Sequence, residues 1–198
     1  MGVGIAATEE GLVVYKFNPR HDAKGRFASG GGGAAMVGAT RLGSAEKYAI
    51  EDYTSDRFLG VNRALRGQSE LGKSDETLVR HLDAALGKLP THEGTVYRMV
   101  DLGSERLASA YANAHEVGGR VGYRQYLSTS ARSDIHGAEL GGRTRVLLTI
   151  QGKSGRDISK WSNNPGEKEV LFPRNATFTV RSVSSGPHGS THVALQED

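Results

Sequence analysis

The chain contains no cysteine. This absence excludes a disulfide framework and a thiolate metal site, and it fits any redox compartment. The seven histidines include no His-Glu-x-x-His motif and no paired metal-ligand spacing, so we predict no bound metal. No apolar run approaches the roughly 20 residues that cross a bilayer, and the amino terminus has no basic stretch followed by an apolar one. We therefore expect a soluble chain without a membrane partner.

The composition limits the size of the core and the class of partner. With 198 residues, of which 37% are hydrophobic, the chain can bury one good core. The formal charge of +3 favours an anionic ligand or partner, but it does not indicate nucleic-acid binding.

Residues 1–43 differ in composition from the remainder of the chain. Four consecutive glycines, Gly30 to Gly33, lose much backbone entropy on ordering, so we predict a flexible leader and linker over 1–43 and one folded domain over 44–198. A phosphate-binding loop is the alternative, but no Gly-Lys-Ser/Thr follows the glycines. Residues 17–29, with their Asn-Pro and Lys-Gly-Arg-Phe pieces, resemble junction segments common in bacteriophage head-morphogenesis and minor capsid proteins.

Three helices are predicted in the first part of the folded domain. Helical spacing of apolar residues and the positions of cap and stop residues give their limits, which are Ser44 to Gly67, Ser74 to Pro90, and Ser104 to Gly118. The first helix carries its apolar residues at Tyr48, Ala49, Ile50, Tyr53, Phe58, Val61 and Leu65. The other two carry theirs at Leu78, Leu82, Leu86 and Leu89, and at Leu107, Ala110, Tyr111 and Ala114.

After the third helix, the spacing of the apolar residues changes from that of a helix to that of an extended strand. The candidate strands are Val96 to Leu102, Gly122 to Leu127, Thr144 to Ile150, Val170 to Phe172, Ala176 to Val183 and His192 to Leu195. Helices at the front and strands at the back predict an α+β domain rather than alternating units of a parallel sheet.

Two glutamates stand where a turn meets an apolar strand. Glu167 and Glu169 lie two residues apart, and residues two apart on a strand point to the same face. We therefore expect both carboxylates to project together from the mouth of a cleft. A solvated charge run at a strand edge is the alternative.

Two earlier segments favour a cleft over a solvated charge run for the two glutamates. Arg98 lies inside the short apolar strand Thr95 to Val100, and Ser128, Thr129 and Ser130 end another strand. An arginine, then Ser-Thr-Ser, then Glu-x-Glu resembles the signature of mono-ADP-ribosyltransferases of the clostridial binary toxin and vegetative insecticidal type. The resemblance covers about residues 44 to 198. It implies two packed sheets flanked by helices, with a cleft between the sheets that binds NAD as co-substrate.

The resemblance assigns roles to both glutamates. Loss of nicotinamide leaves positive charge on the ribose, as in glycoside hydrolysis. Glu169 would bind a ribose hydroxyl and stabilise that charge. Glu167 would bind and activate an arginine acceptor, because a first glutamate accompanies arginine acceptors in the family.

The same resemblance places the cofactor contacts. Arg98 would hold the NAD diphosphate with its planar guanidinium, and a surface arginine is the alternative. Ser128 would orient Glu169 by a hydrogen bond, with Thr129 and Ser130 completing the wall, whereas an ordinary strand end is the other interpretation.

Further contacts are implied at the margins of the cleft. Tyr53, Asn62 and Arg66 lie where similar proteins contact adenosine and phosphate, and Arg143 lies where a second phosphate arginine often stands. Tyr53 as a core residue and Arg143 as a solvated residue are the alternatives.

The loop before the glutamates departs from the family pattern. Trp161 would present the protein substrate or anchor the loop by packing. Asn164 stands where many relatives carry an aromatic residue, and Leu140 would replace the phenylalanine that stacks on nicotinamide.

Together these features predict an NAD-dependent mono-ADP-ribosyltransferase that modifies arginine on a host protein, with phage head proteins as further candidate partners. The expected location is the host cytoplasm, reached by packaging in a phage particle or by secretion as an effector. An NAD glycohydrolase and a noncatalytic capsid module are the alternatives.

Overall fold

The computed structural model describes residues 41–136 and 142–198. Its main elements, in chain order, are α1 (Ser44–Asp52), a π-turn (Tyr53–Arg57), α2 (Phe58–Leu65), α3 (Lys73–Lys88), β1 (His92–Asp101), α4 (Glu105–Asn113), β2 (Arg120–Tyr123), β3 (Leu127–Ser130), β4 (Arg145–Asp157), β5 (Glu169–Phe172), β6 (Ala176–Ser185) and β7 (Thr191–Glu197). Short 3-10 turns occupy Ser133–His136, Pro165–Glu167 and Pro187–Gly189. Within the described ranges, no helix combines the length and the apolar character needed to span a bilayer. The predicted leader falls almost wholly outside these ranges, so the division of the chain near residue 43 stays a prediction.

The first predicted helix is interrupted. The π-turn separates α1 from α2, and Ser55 within it has a non-helical backbone (φ −77°, ψ −145°). The prediction of Ser44 as N-cap is wrong, because Gly43 takes that position and donates its N–H to the Glu46 carboxylate (2.7 Å). Gly67 ends α2 as predicted, since its φ of 80° is a conformation that glycine adopts without steric cost.

The other two helices match only one predicted limit each. The predicted start of the second helix at Ser74 is wrong, because Gly72 has the extended backbone of an N-cap and α3 begins at Lys73. The third helix ends at Asn113, before the predicted stop at Gly118. Helix α3 ends before Pro90, with Leu89 extended at its C-cap. At the start of α4, the Ser104 hydroxyl accepts a hydrogen bond from the Leu107 N–H (3.3 Å), which satisfies one of the free donors of a helix terminus.

The predicted strand over Gly122 to Leu127 is wrong. The chain instead forms two strands, β2 and β3, because it turns between Tyr123 and Leu127. Strand β2 pairs with β6, and β3 pairs with β5 and touches β1. The two strands therefore lie toward opposite ends of the strand order.

The strands follow the order β1-β3-β5-β4-β7-β6-β2, and β1 also pairs with β4. Because β1 pairs directly with β4, strands β3 and β5 lie beside this pair rather than between its two strands. They form a small layer whose edges join a larger layer of β1, β4, β7, β6 and β2. One register pair, Tyr97 opposite Ser130, joins β1 to β3, and Arg156 and Asp157 of β4 pair with β5. The domain is α+β, as predicted, with helices flanking a two-layer β core.

Two apolar clusters hold these layers together. One lies between the strand layers and includes Val96, Leu148, Val170 and Phe172, while the other joins the helices to the outer side of β3 and β5 through Leu171. Strand β5 is therefore buried on both faces, with all four residues inaccessible. A polar side chain on this strand lies inside the protein rather than on its surface.

Candidate active site

Strand β5 begins at Glu169, and β3 runs antiparallel beside it. Ser130 lies opposite Glu169, and Ser128 lies opposite Leu171. Directly opposite residues project from the same face of a sheet, so both serines share a face with Glu169. Because Leu171 packs among the helices, this face is turned toward them. Glu169 is 1% exposed, so the solvated charge run is excluded for this residue.

The phenol of Tyr53 lies against this group of residues. Burial raises the pKa of Tyr53 above its ordinary value, and the charge of Glu169 raises it further. The Ser128 side chain, the Asn62 amide and the Arg98 charge each oppose that rise in pKa. Such effects weaken with distance, so Tyr53 lies close to four of the predicted site residues. Asn62 Nδ2 donates a hydrogen bond to the Tyr53 hydroxyl (2.9 Å).

Arg98 spans the junction of the two strand layers. Its Nη1 donates a hydrogen bond to the carbonyl oxygen of Ser128 (2.5 Å), beside the single register pair that joins β1 to β3. The side chain is half-buried, so Arg98 is not a simple surface arginine. The bond fixes one nitrogen of a guanidinium that carries five N–H donors.

The three hydroxyls of Ser-Thr-Ser have separate environments. Thr129 Oγ1 donates to the Val170 carbonyl (2.6 Å), and Ser130 Oγ donates to the Glu167 carbonyl (2.6 Å). Among the described residues, Ser128 Oγ makes no hydrogen bond to Glu169, so the expected bond is absent, and the buried Ser128 side chain lies beside the Tyr53 phenol. The reason is register, because Ser130 rather than Ser128 stands opposite Glu169.

Glu167 is not on the strand, and the expectation that strand alternation aligns it with Glu169 is wrong. Glu167 ends a 3-10 turn, and Lys168 after it has a left-handed backbone (φ 46°). The strand begins only at Glu169. The bond from Ser130 to the Glu167 carbonyl, rather than the pleat, therefore sets the position of this half-buried residue.

Residues 158–168 form a closed loop between β4 and β5, termed here the carboxylate loop. The Ile158 N–H donates to the Glu169 carbonyl (3.0 Å) and closes its base. Arg132 Nη1 donates to the Gly166 carbonyl (3.1 Å) on the side of β3. Trp161 packs against the helical cluster, which favours its interpretation as an anchor of the loop.

Two predicted phosphate contacts lie at the margin of this arrangement. Arg66 follows Asn62 by one helical turn and donates from Nε to Gln68 Oε1 (3.1 Å). Arg143 is exposed and forms an ion pair with Glu105 (3.7 Å). It lies in the turn before β4, beside α4. The structure therefore brings Arg98, Tyr53 and Asn62 near one another and pairs Arg143 with α4.

Some residues of the arrangement were not predicted from the sequence, and one predicted residue, Leu140, falls outside the described residues. The Asn163 N–H donates to Thr54 Oγ1 of the π-turn, and Arg132 binds the loop backbone. Asn163 and Arg132 stand in loop sequence and Thr54 stands in the first predicted helix, so none of them has a local signal for a role at the site. In the described ranges, no group of three or more His, Asp or Glu side chains is placed to hold a metal ion.

Comparison with known proteins gives the family. The sequence profile of the ADP-ribosyltransferase exoenzyme family matches residues 33–197, which is most of the chain. The chain belongs to the ADP-ribosyltransferase exoenzyme family.

Curated relatives in this family are large proteins. The chain is 32% identical over 150 residues to NAD(+)--protein-arginine ADP-ribosyltransferase Tre1 of Serratia proteamaculans, covering 75% of this chain and 31% of that protein. It is 31% identical over 154 residues to Secreted exoenzyme S of Pseudomonas aeruginosa, covering 77% and 32%. The chain thus spans about a third of the length of these two relatives.

Solved structures agree with the family assignment. Exoenzyme S from Pseudomonas aeruginosa, in complex with human 14-3-3 protein beta and bound to Carba-NAD, superposes with a TM-score of 0.63 at 29% identity, covering 77% of this chain and 73% of that one. The ADP-ribosyltransferase Vis, in complex with agmatine, superposes with a TM-score of 0.64 at 24% identity, covering 79% and 75%. The second likeness supports the ADP-ribosyltransferase fold alone.

Proposed function

We propose that this chain is the catalytic part of an NAD-dependent mono-ADP-ribosyltransferase that modifies arginine side chains of a host protein. The observation that carries the proposal is the burial of Glu169 on a face shared with Ser128 and Ser130, close to Tyr53 and Arg98. The names of relatives such as the Tre1 protein, an NAD(+)--protein-arginine ADP-ribosyltransferase, support the choice of acceptor.

The proposed reaction breaks the bond between nicotinamide and ribose. Nicotinamide leaves as a neutral group with the bonding electron pair, and positive charge develops on the sugar. The carboxylate of Glu169 opposes this charge and accepts a hydrogen bond from a ribose hydroxyl. A carboxylate held inside the protein has few reorganising waters around it, so its field acts on the transition state with little loss.

The second half of the proposed reaction joins the ribose to the acceptor. A guanidinium nitrogen attacks the anomeric carbon and loses a proton, and Glu167 binds the guanidinium and accepts that proton. Its half-exposed position at the end of the carboxylate loop suits contact with a second protein. Trp161 and Asn164, in the same loop, are the candidates for contacts with the acceptor protein.

The remaining predicted residues would bind NAD. Arg98 has further N–H donors beyond the one bound to Ser128, and a planar fork matches phosphate oxygens. Tyr53, Asn62 and Arg66 lie on the helical side of the same group of residues and would contact the adenosine half. Thr129 and Ser130 hold the neighbouring backbone, and Arg143 remains a candidate second phosphate contact.

The setting of the reaction is proposed on other grounds. Relatives carry names such as Secreted exoenzyme S and ADP-ribosyltransferase toxin AexT, which support action as an effector on a host protein. The clostridial and vegetative insecticidal subclass rests on the Arg, Ser-Thr-Ser and Glu-x-Glu order. A link to phage heads, as partners or as the delivery particle, rests only on the resemblance of residues 17–29.

The direct test supplies NAD labelled in its adenylate part and an arginine analogue to the full chain. Agmatine, a small guanidine, reports transfer, and free nicotinamide reports the sum of transfer and hydrolysis. A host lysate with mass-spectrometric localisation then identifies the modified side chain. We expect ADP-ribosyl agmatine to form and arginine to carry the label on protein.

The rival functions give different results in the same assay. An NAD glycohydrolase releases nicotinamide without labelling any acceptor. A noncatalytic capsid module neither binds NAD nor loses any activity when Glu169 is replaced. Either result would overturn the proposal.

A further inference from the structure

Asn163 joins the carboxylate loop to the helical layer by hydrogen bonds, in addition to the packing of Trp161 against that layer. The Asn163 N–H donates to Thr54 Oγ1 (2.9 Å), and Asn163 Nδ2 donates to the Glu51 carbonyl (2.5 Å). Both acceptors lie where α1 passes into the π-turn. Asn163 is exposed, so these two bonds rather than burial fix it there.

The π-turn makes this attachment possible. The non-helical ψ of Ser55 interrupts the regular helix, and nearby carbonyl oxygens accept hydrogen bonds from side chains. The Glu51 carbonyl accepts Thr54 Oγ1 (3.1 Å) as well as Asn163, and the Asp52 carbonyl accepts Ser55 Oγ (2.5 Å). Inside a regular helix, carbonyl oxygens bond to the N–H groups of the next turn.

The same turn faces the other carboxylate. Tyr53 begins the π-turn and is fully buried, and the pKa of Tyr53 is raised by burial and, less strongly, by the charge of Glu169. The turn thus lies near Glu169 on one side and is hydrogen-bonded to the carboxylate loop on the other. Four residues after Asn163, the Glu167 carbonyl is bound by Ser130. Glu167 therefore lies between the Asn163 attachment to the helices and the bonds from Ser130 and Arg132 on the side of β3.

We infer that Asn163 is a positioning residue for the acceptor step. By fixing the carboxylate loop on the π-turn, Asn163 holds Glu167 at a set place relative to Glu169. The inference rests on the proposed function, in which Glu167 binds the guanidinium. Attack by a bound acceptor depends steeply on geometry, whereas attack by water does not use Glu167. Loss of the attachment therefore lowers transfer much more than hydrolysis.

The test compares transfer to agmatine with NAD hydrolysis in two variants that add no charge. Asn163→Ala removes the Nδ2 donor. Thr54→Val removes the hydroxyl that accepts the Asn163 N–H and keeps the volume of the Thr54 side chain. We expect transfer to fall about 10-fold in each, with hydrolysis and its KM for NAD within about 2-fold of the parent. Thr54→Ser retains the hydroxyl and restores the transfer to hydrolysis ratio. Asn113→Ala, an exposed position at the end of α4, is the matched control and leaves the ratio unchanged.

A double variant separates positioning from a general loss of stability. If Asn163 acts through Glu167, Asn163→Ala lowers transfer little further once Glu167→Gln is present. Independent, multiplying losses would overturn the inference, as would equal losses of transfer and hydrolysis or no loss in either. If the parent chain itself neither transfers nor hydrolyses, the proposed function fails, and this outcome is distinct from failure at Asn163.

Discussion

Ser130 lies directly opposite Glu169 in the antiparallel pair of β3 and β5, and its hydroxyl donates a hydrogen bond to the carbonyl of Glu167 (2.6 Å). Ser130 therefore lies next to both acidic residues, although the backbone of Glu169 is in a strand and the backbone of Glu167 is in a turn. Glu169 starts a strand that is buried on both faces, whereas Glu167 ends a turn and is half-exposed. This difference supports a division of labour between the NAD ribose and the acceptor.

Replacing Glu169 tests the electrostatic part of the proposal. Glu169→Gln keeps the volume of the side chain and removes its charge, so we expect hydrolysis and transfer to fall together by about three orders of magnitude. Nicotinamide release and agmatine labelling measure the two rates. Glu76→Gln, on the exposed first turn of α3, is the control and retains both rates. Retention of either rate in Glu169→Gln would rule out the role given to this carboxylate.

Replacing Glu167 tests the acceptor role. Glu167→Gln keeps the backbone carbonyl that Ser130 binds and loses only the carboxylate. We expect transfer to agmatine to fall by about two orders of magnitude while NAD hydrolysis stays within about 3-fold. The ratio of labelled agmatine to free nicotinamide is the measurement. Equal losses of the two rates would contradict the proposed separation of functions.

The close approach of β4 to β5 predicts a stability effect. A Cβ at Gly155 would stand 2.6 Å from Cγ1 of Val170, which is fully buried and cannot rotate away easily. Gly155→Ala should lower the free energy of unfolding by about 1–3 kcal/mol through overpacking. Urea denaturation measures the change.

Gly60 supplies the matched control for that substitution. It lies in α2, and a Cβ there would meet no atom within 4 Å. Gly60→Ala should therefore raise the free energy of unfolding by about 0.5–1 kcal/mol, because alanine is the better helix former. A similar change in both variants would show that the contact with Val170 is not the cause.

His115 predicts a dependence of stability on pH. Burial lowers the pKa of His115, although the hydrogen bond of Nδ1 with the Tyr111 carbonyl (2.7 Å) opposes that shift. As pH falls below about 6.5, the unfolded chain gains a proton on this residue before the folded chain does. The contribution of His115 is therefore present above that pH and is lost as pH falls toward its folded pKa.

His115→Asn removes this titration and keeps a donor near the Nδ1 position. Urea unfolding at about pH 7.5 and about pH 5 should show a smaller loss of stability on acidification for the variant than for the parent. The readout is the difference between the two pH values, because the smaller side chain also lowers stability at both. An equal acid-side loss in the two proteins would show that other groups cause it.

Local signals predicted much of the fold. The Ser104 cap, the Gly67 stop and Pro90 act through contacts within a few residues, so the limits set by them were confirmed. The helix break at Ser55 was missed because the apolar spacing continues through the π-turn. The single strand over Gly122 to Leu127 was wrong because its two halves pair with strands far apart in the chain, and that choice has no local signal.

The amino-acid sequence by itself determined the α+β class and, through the Arg, Ser-Thr-Ser and Glu-x-Glu order, the likeness to ADP-ribosyltransferases. Only the tertiary structure decided that Ser130 rather than Ser128 stands opposite Glu169, that Glu167 lies on a turn, and that Asn163 joins the carboxylate loop to the π-turn. The reason is physical. Caps, stops and periodicity depend on neighbours along the chain, whereas register and loop attachment depend on partners that are dozens of residues away and meet only when the layers pack.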